Sequence, residues 1–150
     1  MPVRGSDIRH AARYRRLRAG GVLLLAGAVL LLAAWFEPDP RGMGTHEQLN
    51  LPGCGMMTMF DLPCATCGMT TAFAHVAEGH VLAGLRVQPL GCVMAMGTAM
   101  TFLVSIYVCV TGAAIQVRVM ILHPGTVLWW VLVSILLAWG YTILQYRDWI

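Results

Sequence analysis

Apolar residues fall into three long runs along this chain, separated by stretches where glycine, proline and charge accumulate. The first run, GGVLLLAGAVLLLAAWF at 20–36, carries no charged group. Its six leucines, two valines and phenylalanine favour insertion into a bilayer by about 3–4 kcal/mol on an insertion scale. Trp35 and Phe36 at its end suit the aromatic belt of a membrane interface. The second run is LGCVMAMGTAMTFLVSIYVCVTG, the third GTVLWWVLVSILLAWGYTIL. At about 1.5 Å per residue, each run can cross roughly 30 Å of hydrocarbon as a helix. The pattern therefore predicts an all-α membrane protein with three transmembrane helices, at 20–36, 89–112 and 125–145.

Between the first two runs the pattern changes. EPDPRGMGTHEQLNLPG, 37–53, reads as an extended loop. From residue 68, apolar positions at Phe73, Val76, Val81, Leu82 and Leu85 suggest two short helices, 70–78 and 80–87. They bend at Gly79 and end before Pro89, with Thr70 or Thr71 as the starting cap. A single spanning helix through 70–88 is disfavoured, because Glu78, His80 and Arg86 would lie at depth, at about 2.5–3.5 kcal/mol for a charge near the centre. The short helices are expected at the interface. Small residues line the second run in two rows, Gly91–Ala95–Ala99 and Gly97–Thr101–Ser105. Such rows let helices approach closely in lipid, within one chain, against a second copy or against another membrane protein.

Charge orients this arrangement. Hydrophobic residues make up 58% of the chain and charged ones 11%, so lipid must be part of the solvent. Six of the ten basic residues, Arg4, Arg9, Arg13, Arg15, Arg16 and Arg18, precede the first run. A basic cluster abutting an apolar run orients a membrane helix rather than binding nucleic acid. No clear small-residue cleavage site follows in WFEPDP, so the run reads as an uncleaved anchor. The basic segment 1–19 is then cytoplasmic and 37–88 external, with only Arg41 and Arg86 as its basic residues. A cytoplasmic turn at 113–124, marked by Arg118, His123 and Pro124-Gly125, and an external tail at 146–150 complete the expected organisation.

The external segment carries the candidate chemistry. Cys54, Cys64 and Cys67 fall within fourteen residues, and the CxxC pair precedes a helix start, where partial positive charge favours a thiolate. Four readings follow. The three thiols, with His75 or His80 as fourth ligand, can form a zinc site. The pair can be a redox couple, although no strand–helix–strand context surrounds it. An external loop can be stapled by a disulfide. The cysteines can also serve packing alone. A c-type haem does not fit, because Gly68 stands where CxxCH needs histidine. Met56, Met57, Met59 and Met69 flank the thiols and would suit Cu(I), but methionine also fills irregular apolar space. Cys92 and Cys109 lie in the second apolar run and read as small apolar residues. No Ser-His-Asp set, phosphate loop or useful acid pair is present. His46, His75 and His80 otherwise read as surface histidines.

LPCATCGMTTAFAHVAEGHVLAGLRVQPLG resembles the signature of a family of small bacterial membrane proteins of unknown function. Their pattern joins a CPxCGxTRA-type motif, a short helix with a Gly-centred bend, and an Asn-Pro-Leu-type start of a transmembrane helix. The resemblance covers roughly residues 50–112. Cys64, Cys67, Gly68, Thr70, Ala72, Gly79, Pro89 and Leu90 fit it, while Ala65 replaces the proline, Thr71 the arginine and Gln88 the asparagine. Loss of that arginine weakens any function that needs a cation beside the thiols. The resemblance implies a bacterial inner-membrane location and supplies no activity. Together these readings favour an accessory or structural subunit, with Cys54, Cys64, Cys67 and His75 as candidate metal ligands and zinc as the metal. A membrane thiol-disulfide oxidoreductase is the alternative.

Overall fold

A computed structural model describes residues 5–114 and 124–147. All regular structure among the described residues is helical: α1 Gly5–Trp35, a 3₁₀ turn Thr45–Leu49, α2 Gly55–Phe60, α3 Met69–Ala77, α4 Val81–Val87, α5 Pro89–Thr111 and α6 Pro124–Tyr146. The helices α1, α5 and α6 are each long and apolar enough to cross a membrane. Their outward faces leave Leu24, Leu103, Trp129 and Leu137 at least 60% exposed, which only an apolar solvent would tolerate on this scale.

α1 begins well before the apolar run and carries the basic segment in the same helix. It packs antiparallel along α5: Gly27 faces Phe102, the Arg15 side chain donates to the Gly112 carbonyl at 3.1 Å, and the Cys109 thiol faces the Arg16 carbonyl. The inward positions of α5 are Gly91, Ala95, Thr98, Phe102, Ser105 and Cys109, a spacing that alternates four and three. On α1, Ala19, Leu23, Ala26, Leu30 and Ala33 show the same alternation. This is the seam of two helices packed at a shallow angle. The expected row Gly97–Thr101–Ser105 is corrected accordingly. Gly97 and Thr101 face outward, and Ser105 shares the inward stripe with Ala95 and Gly91, whose α-carbon end meets Met69 and Ala72 of α3.

The segment between α1 and α5 folds over one end of this pair. The expected extended loop 37–53 contains the 3₁₀ turn, and α2 was not anticipated. The two short helices are present with their break at Gly79, whose φ is +84°. At nine and seven residues they reach about 13 and 10 Å, too short to span. The cap differs from expectation. Gly68, at φ +83°, precedes α3, and Thr71 is fully buried with its hydroxyl 2.8 Å from that of Thr45. The left-handed conformation needs glycine there, and a β-carbon would lie 3.0 Å from the Gly42 carbonyl oxygen.

α6 returns to the same end. Tyr141 and Gln145 donate to the Arg86 carbonyl at 2.6 and 3.1 Å, and Tyr146 donates to Asp61 at 2.8 Å. The end of α6 therefore lies with the cysteine segment, opposite the basic end of α1. Arg118, His123 and most of the expected 113–124 turn lie outside the described residues. If the six N-terminal arginines hold their end in the cytoplasm, a reporter after Ile150 should read external and one at Arg118 cytoplasmic. A cytoplasmic C-terminal reporter would refute that orientation.

Candidate functional site

The loop before α3 brings its thiols together by local geometry. The Cys67 amide donates to the Cys64 carbonyl at 3.1 Å, closing a turn, and the Cys64 amide points at the Cys67 sulfur at 3.3 Å. The two sulfurs are 3.2 Å apart. Cys54 arrives from the start of α2, and one sulfur from each cysteine lies within 4.8 Å of the others.

Two distant side chains pin this loop. The Trp139 indole N–H donates to the Pro63 carbonyl at 2.9 Å, just before Cys64. The Gln88 amide donates to the Ala65 carbonyl at 3.0 Å, just after it. Gln88 is fully buried, and its Oε1 accepts from the Gly91 amide at 2.6 Å, so one side chain caps α5 and holds the thiol loop. Pro89 at the first helical position marks Gln88 as the cap and was a readable sign of this role. Trp139 carried no local sign, because its task depends on where α6 docks.

The three thiols line a cavity of about 490 Å³, with Met43, His46, Glu47, Met57, Met69 and Tyr146 also on its wall. Arg41 reaches the same cavity while paired with Asp39 at 2.8 Å and Glu47 at 3.3 Å. A cation thus stands at the thiol cavity although Thr71 occupies the motif's arginine position. His75 is not part of this group. It lies toward the far end of α3 with Glu78 and His80, because six steps from Met69, where α3 starts, carry it about 9 Å along the helix. Cys92 and Cys109 are engaged elsewhere, facing the carbonyls of Val81 and Arg16.

The thiols differ in acidity. Burial pushes Cys54 up, but the Met57 amide and the neighbouring Cys67 and Cys64 thiols outweigh it and bring it down to about 7. Burial, then the neighbouring thiols, push Cys67 well above the ordinary thiol range. A lowered pKa keeps the thiolate at pH values where ordinary thiols are protonated. Alkylation of Cys54 by iodoacetamide is therefore expected to fall to half as pH drops through about 7, while Cys67 reacts slowly throughout. Peptide mass mapping across pH 5–9 (roughly the thiol titration range) reads both rates. Equal rates at the two cysteines would contradict the assignment.

The fold and this cavity define an all-helical protein with three helices fit to cross a membrane and a three-cysteine group at one end. The model of a family described as "Protein of unknown function (DUF2752)" matches residues 54–102, from the first cavity cysteine into the middle of α5. No curated protein and no solved structure matches the chain.

Proposed function

We propose that this is an accessory or structural subunit of a bacterial inner membrane whose external face holds a thiophilic metal ion, zinc foremost, on Cys54, Cys64 and Cys67. The observation that supports this reading most is the convergence of three sulfurs from two separate parts of the chain. Tetrahedral zinc with bonds of about 2.3 Å sets sulfurs about 3.8 Å apart. The Cys64 and Cys67 sulfurs are 3.2 Å apart and the Cys54 sulfur lies within 4.8 Å of both, so the donor set is compatible with that geometry after side-chain adjustment. His46 lines the same cavity and can complete the set in the place first given to His75. Bound zinc would hold thiolates and tie the loop to α2, a structural task that requires no turnover.

A second reading is favoured by the close approach of Cys64 and Cys67. A membrane thiol-disulfide oxidoreductase would exchange this dithiol with a protein disulfide. The pair would be oxidised, and two electrons and two protons would pass to the partner. Metal analysis of the full chain purified in detergent, with thiols trapped in cells before lysis, separates the two. Sulfur-bound zinc, about one equivalent of which is lost when Cys64 and Cys67 are replaced by serine, supports the metal site. A trapped Cys64–Cys67 disulfide with no sulfur-bound metal would overturn it in favour of exchange. One copper per chain would keep the three-thiol site and replace the ion.

A further inference from the structure

The other end of α3 gathers three more ligand-type side chains, and the way the helix stops explains why. The Gly79 amide donates to the Val76 carbonyl at 3.0 Å and the His80 amide to the His75 carbonyl at 2.8 Å, with Gly79 left-handed between them. This is a Schellman ending, which brings the residue after the glycine back over the last turn and usually seals it with an apolar contact. Here both positions of that contact are histidine. The rings of His75 and His80 meet edge to face with centroids 6.4 Å apart. Glu78, at the cap between them, lies 3.2 Å from His80 Nδ1. One ligand atom from each of the three lies within 4.8 Å of the others.

A second observation points to a ligand. His75 Nδ1 is buried with no hydrogen-bond partner, the single such side-chain atom found among the described residues. A buried imidazole nitrogen without a partner is unfavourable. The neighbouring His80 and Glu78 side chains are 67% and 40% exposed and can turn toward a common point. Imidazole and carboxylate together suit borderline divalent cations rather than the soft ions that thiolates select.

We propose that His75, Glu78 and His80 form a second metal site, for a borderline divalent cation such as Zn²⁺, separate from the thiol cavity. It presents two nitrogens and one oxygen, which leaves a fourth tetrahedral position to water, so the ion is exchangeable. The ion would also lock the α3–α4 turn, joining the last turn of one short helix to the cap of the next. This site does not depend on what the three cysteines hold.

Co²⁺ titration of the full chain in detergent tests it, because cobalt reports its donors spectroscopically. The chain with Cys54, Cys64 and Cys67 all replaced by serine should still take up one Co²⁺, without sulfur charge-transfer absorption, and Zn²⁺ should displace it. Replacing His75 and His80 by alanine in the otherwise native chain should remove that nitrogen/oxygen-type absorption and one equivalent of ion, while any sulfur band persists. Glu78→Gln should weaken this site by about tenfold or more, at least the loss seen for residues that merely orient ligands. Should the triple-serine chain fail to fold, the native chain with alkylated thiols provides the same reading. Unchanged stoichiometry and affinity after loss of both histidines would overturn the proposal.

Discussion

Replacing Gln88 by leucine is expected to destabilise the protein by about 2–4 kcal/mol and to loosen the thiol loop. The leucine retains most of the volume but removes both polar ends of a fully buried side chain. The Gly91 amide loses its cap, a loss of about 0.5–2 kcal/mol. The Ala65 carbonyl loses its donor in a partly buried site, at about 1–3 kcal/mol. That carbonyl sits between Cys64 and Cys67, so the consequence extends past stability. Alkylation of Cys67 should accelerate relative to the parent chain, because the turn that buries it is no longer held. Unfolding in detergent and thiol mass mapping read the two effects. A loss below about 0.5 kcal/mol, the usual range for an uninvolved surface change, would show that the Gln88 bonds are not what holds this loop.

Gly91 provides the second large effect, with a sign that distinguishes packing from propensity. Alanine in place of glycine inside a helix ordinarily stabilises by up to about 1 kcal/mol. At Gly91 a β-carbon would lie 2.6 Å from Gln88 Oε1 and 3.2 Å from both the Ala72 β-carbon and the Met69 α-carbon. The Gln88 oxygen ends a flexible side chain, but its amide is already committed to Ala65. Gly91→Ala should therefore destabilise by about 1–3 kcal/mol, the usual range for overpacking, and Gly91→Val by more. Gly97 is the control. Its β-carbon would meet nothing within 4 Å, so Gly97→Ala should be neutral or stabilising. Combining Gly91→Ala with Gln88→Ala should cost less than the sum, since the second change removes the oxygen the first one strikes. Strict additivity would argue against the contact.

The three long helices were readable because their signal is local. A run such as 20–36 is apolar all round, and no soluble packing could satisfy it. The observed α5 and α6 begin and end within two residues of the expected spans. Gly79 and Pro89 were equally plain punctuation, since a left-handed residue and a ring lacking an N–H act on their own backbone. α2 was not visible. GMMTMF has six residues and no periodicity to read.

The candidate site divided along the same line. The grouping of Cys64 with Cys67 follows from a four-residue turn, and the return of Cys54 follows from the glycines and prolines around it. What the cavity contains besides thiols was decided by tertiary structure. His46 and Arg41 come from the segment before the cysteines, Tyr146 from the end of α6, and none is near the motif in sequence. Thr70 and Thr71 looked like caps by composition. Thr71 instead bonds Thr45, twenty-six residues away, because the 3₁₀ turn packs on α3. His75 looked like a fourth ligand and lies with Glu78 and His80, because helical rise carries it away from Cys67 while the Schellman turn folds His80 back to it. The sequence by itself determined which segments are long and apolar enough to cross lipid, where the short helices break and which cysteines can meet, since each depends on neighbouring residues. The tertiary structure alone decided what pins the loop and what else lines the cavity, since Gln88 and Trp139 bond carbonyls twenty-three and seventy-six residues distant, and Arg41, His46 and Tyr146 reach the cavity from outside the CxxC motif.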